Sequence, residues 1–174
     1  ADRVIGGVLV LAVVLDPGVE AGRRGLDLIG VTVEMHNPID LMIIMLGTND
    51  CKTRYRASAS VIAKGLDQVI RKARQNASRH FDLLVISPIH LGVGVGDADF
   101  DPEFDAASVA VSRNLANEYR KIALQNHAAF LNASDFAAPS VTDREHMDEK
   151  GHAALADAIY NKILALQKGL SHVI

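Results

Sequence analysis

The sequence predicts an α/β protein, a three-layer α/β/α sandwich on a parallel, flavodoxin-like sheet, and three observations carry that expectation. Apolar runs without polar alternation stand at residues 8–15, 40–46 and 82–86, the pattern of strands covered on both faces. Segments with a helical apolar period lie between them, so strands and helices alternate and right-handed crossovers follow. The chain has 174 residues, 49% hydrophobic and 22% charged, which is ordinary composition for one domain with a substantial core. A single domain over residues 1–174 is expected.

The first strand, 8–15, stops at Asp16-Pro17-Gly18. A short helix from Gly25 to His36 is closed by Asn37-Pro38, because the residue before a proline is pushed out of the helical region. The strand over 40–46 runs into Gly47-Thr48-Asn49-Asp50. In the next helix Val61, Ile62, Gly65, Leu66, Val69, Ile70 and Ala73 recur at the helical period, with Lys64, Asp67, Lys72 and Arg74 on the other side. Ser87-Pro88 ends the strand over 82–86. The loop over 90–105 has a length common among lids and binding loops. A helix over 106–125 places Val111, Leu115, Tyr119 and Ile122 on its apolar side, and a short strand follows at 128–131. The last helix, 148–167, has Asp148 as N-cap and turns Leu155, Ile159, Ile163 and Leu166 inward.

A formal charge of -3 provides no basic field of the kind nucleic-acid binders carry. Arg23-Arg24 and Arg54-Tyr55-Arg56 read as solvated loop charges. The longest apolar run is far shorter than the about 20 residues that cross a bilayer, so no membrane span is expected, and a strand is favoured over a signal peptide at 8–15. One cysteine, Cys51, permits no internal disulfide and suits a reducing compartment. A cytoplasmic location is the default.

Several motifs have plainer readings. Gly92-Val93-Gly94-Val95-Gly96 looks like a phosphate loop, but Asp97, Asp99 and Asp101 follow it and would repel phosphate. His146, Asp148 and His152 lack any recognised metal-ligand spacing, and His152 reads as a surface residue. Cys51 is read as a buried thiol rather than a nucleophile. The polar turn after the strand over 40–46 is different. Polar groups at the carboxyl end of an apolar strand sit where open α/β sheets place their ligands. Asp143 lies three residues before His146 in the loop preceding the last helix, the relation by which a carboxylate orients an imidazole base.

Ile43-Ile44-Met45-Leu46-Gly47-Thr48-Asn49-Asp50 resembles the third block of the SGNH hydrolases, also called GDSL esterases. Asp143-Arg144-Glu145-His146 resembles their terminal Asp-x-x-His block. The likeness runs from about residue 16 to about residue 165, and it is nearest the arylesterase and acyltransferase branch through Gly22-Arg-Arg-Gly-Leu-Asp, Pro38-Ile-Asp-Leu and Ile86-Ser-Pro. The resemblance implies hydrolysis or acyl transfer of a small-molecule ester by a serine nucleophile. His146 would be the general base, oriented by Asp143, and Asn49 the oxyanion donor. Gly47 and Gly7 would take part in oxyanion and substrate binding. Neither metal nor cofactor is implied.

The sequence departs from the family in one serious respect. The family's nucleophile sits in a Gly-Asp-Ser block at the end of its first strand, and no serine occurs here before Ser58. Thr32 does not match the motif, and Ser58, Ser60, Ser87 and Ser134 occupy positions where the family has no nucleophile. The usual first strand and helix are missing as well. Three arrangements are open: the segment lies outside this sequence, residues 8–15 take the vacant place, or a partner, such as a second copy in a homo-oligomer, supplies the strand. The alternative function is a non-catalytic relative that binds small esters or acylated sugars. A flavodoxin-like phosphate binder finds no support in Asp16-Pro17-Gly18-Val19.

Overall fold

The structure, a computed structural model, describes residues 25–169 together with the backbone of residues 8–11. Four strands, β1 (Val8–Leu11), β2 (Leu41–Met45), β3 (Asp82–Ser87) and β4 (Ala129–Asn132), form one sheet in the order β1-β2-β3-β4. Every pairing is parallel: Val8 stands beside Leu41, Leu41 beside Asp82, and Leu84 beside Ala129. The backbone of 8–11 therefore pairs directly with β2. Residues 12–15 of the anticipated first strand lie outside the described residues.

The crossovers are helical: α1 (Gly25–His36), α2 (Ala59–Asn76) and α3 (Ala106–Gln125), with α4 (Glu149–Gln167) after the last strand. The starts of α2, α3 and α4 follow from side-chain caps that satisfy the first free backbone N–H groups. The Ser58 hydroxyl accepts from Val61 N, and Asp105 and Ser108 close a reciprocal capping box on α3. The Asp148 carboxylate accepts from Gly151 N at 2.7 Å, as its position predicts.

Because successive strand residues point to opposite faces, β2 and β3 fill two cores. Met42, Ile44, Leu83 and Val85 pack under α1, α2 and α3 with Ile29, Val33, Leu66, Ile70 and Leu115. Leu41, Ile43, Leu84 and Ile86 face the other way, toward Leu155, Ile159, Ile163 and Leu166 of α4. Burying such a side chain contributes about 1.5–3 kcal/mol, so a continuous apolar strand between two helix layers is favoured over one with a polar face. The layers are thus helices, sheet, helix, the architecture anticipated.

Two expectations need correction. Val61 is 54% exposed; the buried stripe of α2 is Ala59, Ile62, Ala63, Leu66, Val69, Ile70 and Ala73, which leaves Val61 at its margin. The loop over 90–105 is pinned rather than lid-like, since Leu91, Val95 and Phe104 are buried in the main core.

Candidate active site

The parallel sheet delivers the carboxyl ends of β2, β3 and β4 to one rim. At the end of β2 the chain turns through Gly47, whose φ is +117°, a conformation glycine adopts without the penalty of a Cβ. A Cβ there would lie 2.2 Å from the Tyr119 hydroxyl, which donates to the Leu46 carbonyl at 2.9 Å. Tyr119 of α3 therefore sets the exit of the strand from behind. Sequence reasoning placed Tyr119 in the core but gave its hydroxyl no task.

Asn49–Cys51 form a single 3-10 turn, with Cys51 N donating to Thr48 O at 3.0 Å. Asn49 is partly exposed, and its side-chain amide makes no hydrogen bond among the described residues. Cys51 is buried, and burial, assisted by the Asp50 charge, pushes its thiol up to about 12. Thiolate chemistry at Cys51 is thereby disfavoured.

Beyond the turn, Lys52 pairs with Glu103 and stands 3.6 Å from Asp101. The Lys52 ammonium also sits over the Phe104 ring, 5.3 Å from its centroid. Thr53 N donates to Glu103 O at 2.8 Å. These contacts tie the Asn49 turn to the loop over 90–105.

The last piece of the rim is the segment over 139–148. Pro139 and Met147 form an antiparallel bridge, Ser140 N donates to His146 O at 2.7 Å, and Arg144 N donates to Ser140 O at 3.0 Å. Inside this compact turn Asp143 Oδ1 accepts from Glu145 N at 3.0 Å, His146 N at 2.9 Å and the Ser140 hydroxyl at 3.0 Å. Asp143 Oδ2 accepts from His146 Nδ1 at 2.7 Å. Partial burial pushes the Asp143 carboxyl upward, but the hydrogen bonds from Glu145, His146 and Ser140 outweigh it and hold the group well below the usual carboxylate range.

With Nδ1–H donated to the carboxylate, Nε2 of His146 is left as the acceptor. The side chain is 72% exposed, and Nε2 has no hydrogen-bond partner among the described residues. The half-buried Glu145 carboxyl is pushed up, first by burial; the charges of His146, Asp101, Lys52 and Asp143 also act on it.

The serines are committed elsewhere. Ser58 caps α2 and bonds Ser60, Ser87 is fully buried and donates to Asn132 Oδ1 at 2.9 Å, and Ser134 accepts from His90 N at 2.9 Å. Thr32 donates to Leu28 O within α1. Gly7 lies outside the described residues. His152 is exposed, and no group of three metal-ligating side chains occurs among the described residues. No described helix is long and apolar enough to cross a membrane.

A parallel sheet with a Gly-Thr-Asn-Asp turn at one strand end and an Asp–His pair before the last helix places the molecule among the SGNH-type α/β hydrolases. Residues 10–154 match the GDSL-like Lipase/Acylhydrolase family, and the chain belongs to it. Est24, a carbohydrate acetylesterase from Sinorhizobium meliloti, superposes with a TM-score of 0.77 at 27% identity over 87% of this chain and 72% of its own. Another solved structure is 34% identical over 84% of this chain and 67% of its own, with a TM-score of 0.76. The aryl esterase of M. smegmatis has the same fold, with a TM-score of 0.77 at 24% identity over 87% of this chain and 72% of its own. No curated protein matches this chain. The family anticipated from the two motifs is thus the one found, and its activity is that of an ester hydrolase.

Proposed function

We propose that this chain carries the acid–base and oxyanion half of a serine ester hydrolase or acyltransferase acting on small acyl or aryl esters. Its nucleophilic serine is not one of the 174 residues. His146 Nε2 takes the proton of that serine as its Oγ bonds to the ester carbonyl carbon. Asp143 stabilises the imidazolium that results, as a buried or well-hydrogen-bonded carboxylate does in related triads. The Asn49 amide, with the backbone N–H of Gly47, donates to the oxyanion; Val8 pairs with Leu41 at the far end of β2, so Gly7, which precedes it, is left out of this role. When the C–O bond breaks, His146 returns the proton to the leaving alcohol, and water or an acceptor alcohol repeats the cycle on the acyl-serine.

The observation that carries this reading is the 2.7 Å contact between His146 Nδ1 and Asp143, which orients a ring whose Nε2 is open to an incoming hydroxyl. The unengaged Asn49 amide supports the oxyanion role, because a donor already bonded in the resting protein would have to break that bond first. Since Est24 is a carbohydrate acetylesterase, acetylated sugars belong beside aryl acetates in the first substrate panel. Turnover of an aryl acetate by the active protein should vanish in His146→Ala, and unchanged turnover in that variant would exclude the mechanism.

The second reading is a pocket that binds small esters without cleaving them, favoured by the commitment of Ser58, Ser60, Ser87 and Ser134 to other bonds. Protein of confirmed 18.7 kDa mass that resists labelling by a fluorophosphonate yet binds acetylated sugar would support it over the catalytic reading.

A further inference from the structure

We infer that Arg144 is a positioning residue for His146, a clamp that fastens the Asp143–His146 turn to the loop over 90–105. The inference deepens the hydrolase reading and rests on it for its consequence in turnover.

Arg144 is seated in a way its backbone alone does not explain. Its φ is +60°, a region that a long side chain occupies only when its surroundings hold it there. The holding contacts come from one segment about fifty residues upstream. The guanidinium Nη1 donates to Val93 O at 2.9 Å and to Asp97 Oδ2 at 3.0 Å. The guanidinium also lies over the Phe100 ring, 4.1 Å from its centroid, within reach of a cation–π attraction. The Arg144 carbonyl accepts from Gly92 N at 2.7 Å.

The loop is shaped to receive the guanidinium. Gly94 has φ +76°, and a Cβ on it would stand 2.1 Å from Arg144 Nη1. The loop is itself a firm support, because Leu91, Val95 and Phe104 are buried and Glu103 is bound by Lys52 and Arg54.

The consequence concerns the ring. His146 is mostly exposed, so side-chain packing does little to fix it. Its orientation depends on the Asp143 carboxylate, and that carboxylate depends on the turn in which Arg144 sits between the two. The clamp holds the turn closed around Asp143, so that without it the Asp143–His146 bond opens part of the time, and it sets where the turn stands relative to the rim. A base displaced by about 1 Å from its reaction partner loses up to about 10²-fold in rate.

The test separates backbone from side chain. Arg144→Gly suits the positive φ and removes every guanidinium contact, whereas Asp97→Ala with Phe100→Ala removes two of those contacts and leaves Arg144 untouched. Ring ¹⁵N chemical shifts report the tautomer of His146 without requiring turnover. The wild-type ring is expected as the Nδ1–H tautomer, and both clamp variants should show a mixture of the two tautomers. On an aryl acetate, kcat should fall by about 10–100-fold at nearly constant KM, with partial recovery in Arg144→Lys. Folded clamp variants that keep the wild-type ring shifts would overturn the inference. A wild-type protein without turnover whose ring shifts nonetheless change in the variants would sink the hydrolase reading and leave the clamp standing.

Discussion

The Tyr119 hydroxyl occupies the space where a Cβ on Gly47 would fall, 2.2 Å away, while donating to the carbonyl of Leu46. One hydroxyl thus both satisfies the carbonyl of the buried residue that follows β2 and enforces glycine at the turn that presents Asn49. Gly47→Ala should destabilise the protein by about 1–3 kcal/mol through strain at positive φ alone, with the clash in addition. Tyr119→Phe should cost about 1–3 kcal/mol by leaving the Leu46 carbonyl unpaired. Combined, the two changes should cost less than their sum, because the phenyl ring makes room for the methyl group. Urea unfolding of the four proteins measures the coupling, and strict additivity would refute the shared space.

Asp143 is ordered by four hydrogen bonds, and Asn in its place can accept the two backbone N–H groups but cannot accept from His146 Nδ1 with its amide nitrogen. The ring would then have to carry its proton on Nε2, the wrong tautomer for a base. Asp143→Asn should therefore lower kcat by up to about 10⁴-fold, whereas Ser140→Ala, which removes one donor of several, should cost less than about tenfold. The carboxyl is held below its ordinary value, so its contribution to the turn is complete above the unfolded value of about 3.9 and is lost as pH falls through the lower folded value. Protection of the Glu145 and His146 amides from hydrogen exchange should persist to about pH 4 and fade below it. Protection lost well above pH 4 would mean that the Asp143 carboxylate does not hold the turn.

The elements were legible because their signals are local. Unbroken apolar runs gave β2 and β3, and Asp148 marks the start of α4 at the position where its carboxylate caps. Asp143 and His146 could be paired from spacing because only two residues separate them. What escaped sequence reasoning depends on distant partners. Arg144 reads as a filler between Asp143 and His146 until Val93, Asp97 and Phe100 are seen to hold it. Tyr119 reads as one more apolar residue of α3 until its hydroxyl meets Leu46. The loop over 90–105 has a length common among lids and binding loops, but three scattered apolar side chains anchor it in the core, and no period in the sequence reveals them.

Asn132 ends β4, and its contacts explain the amide. Its Oδ1 accepts from the buried Ser87 hydroxyl at 2.9 Å and its Nδ2 donates to Asp135 Oδ1 at 2.7 Å. A carboxylate could keep the first bond but would face Asp135 with a second negative charge. Asn132→Asp should lower stability at pH 7 by about 1–3 kcal/mol. Repulsion raises the folded pKa of the new pair, so the penalty should shrink as pH falls toward about 4 and protonation relieves it. Thermal melts of wild type and variant across that range provide the check. A penalty independent of pH would mean that lost geometry, and not charge, is responsible.

Cys51 follows the Asn49 turn closely enough to invite the idea of a second nucleophile, and its surroundings argue otherwise. The thiol is buried, with Sγ 3.4 Å from the Gly47 carbonyl, and its ionisation is displaced up to about 12. An exposed thiol ionises near about 8.5 and alkylates readily. At pH 8 native protein should therefore resist iodoacetamide, with labelling appearing along the urea unfolding transition. Because the unfolded thiol ionises first, stability should also decline as pH rises above about 8.5, and Cys51→Ala should remove that component. Cys51→Ala should leave ester turnover unchanged, since the thiolate takes no part in it. Rapid labelling of the folded protein at pH 8, together with lost turnover in Cys51→Ala, would return the sulfur to the list of reacting groups.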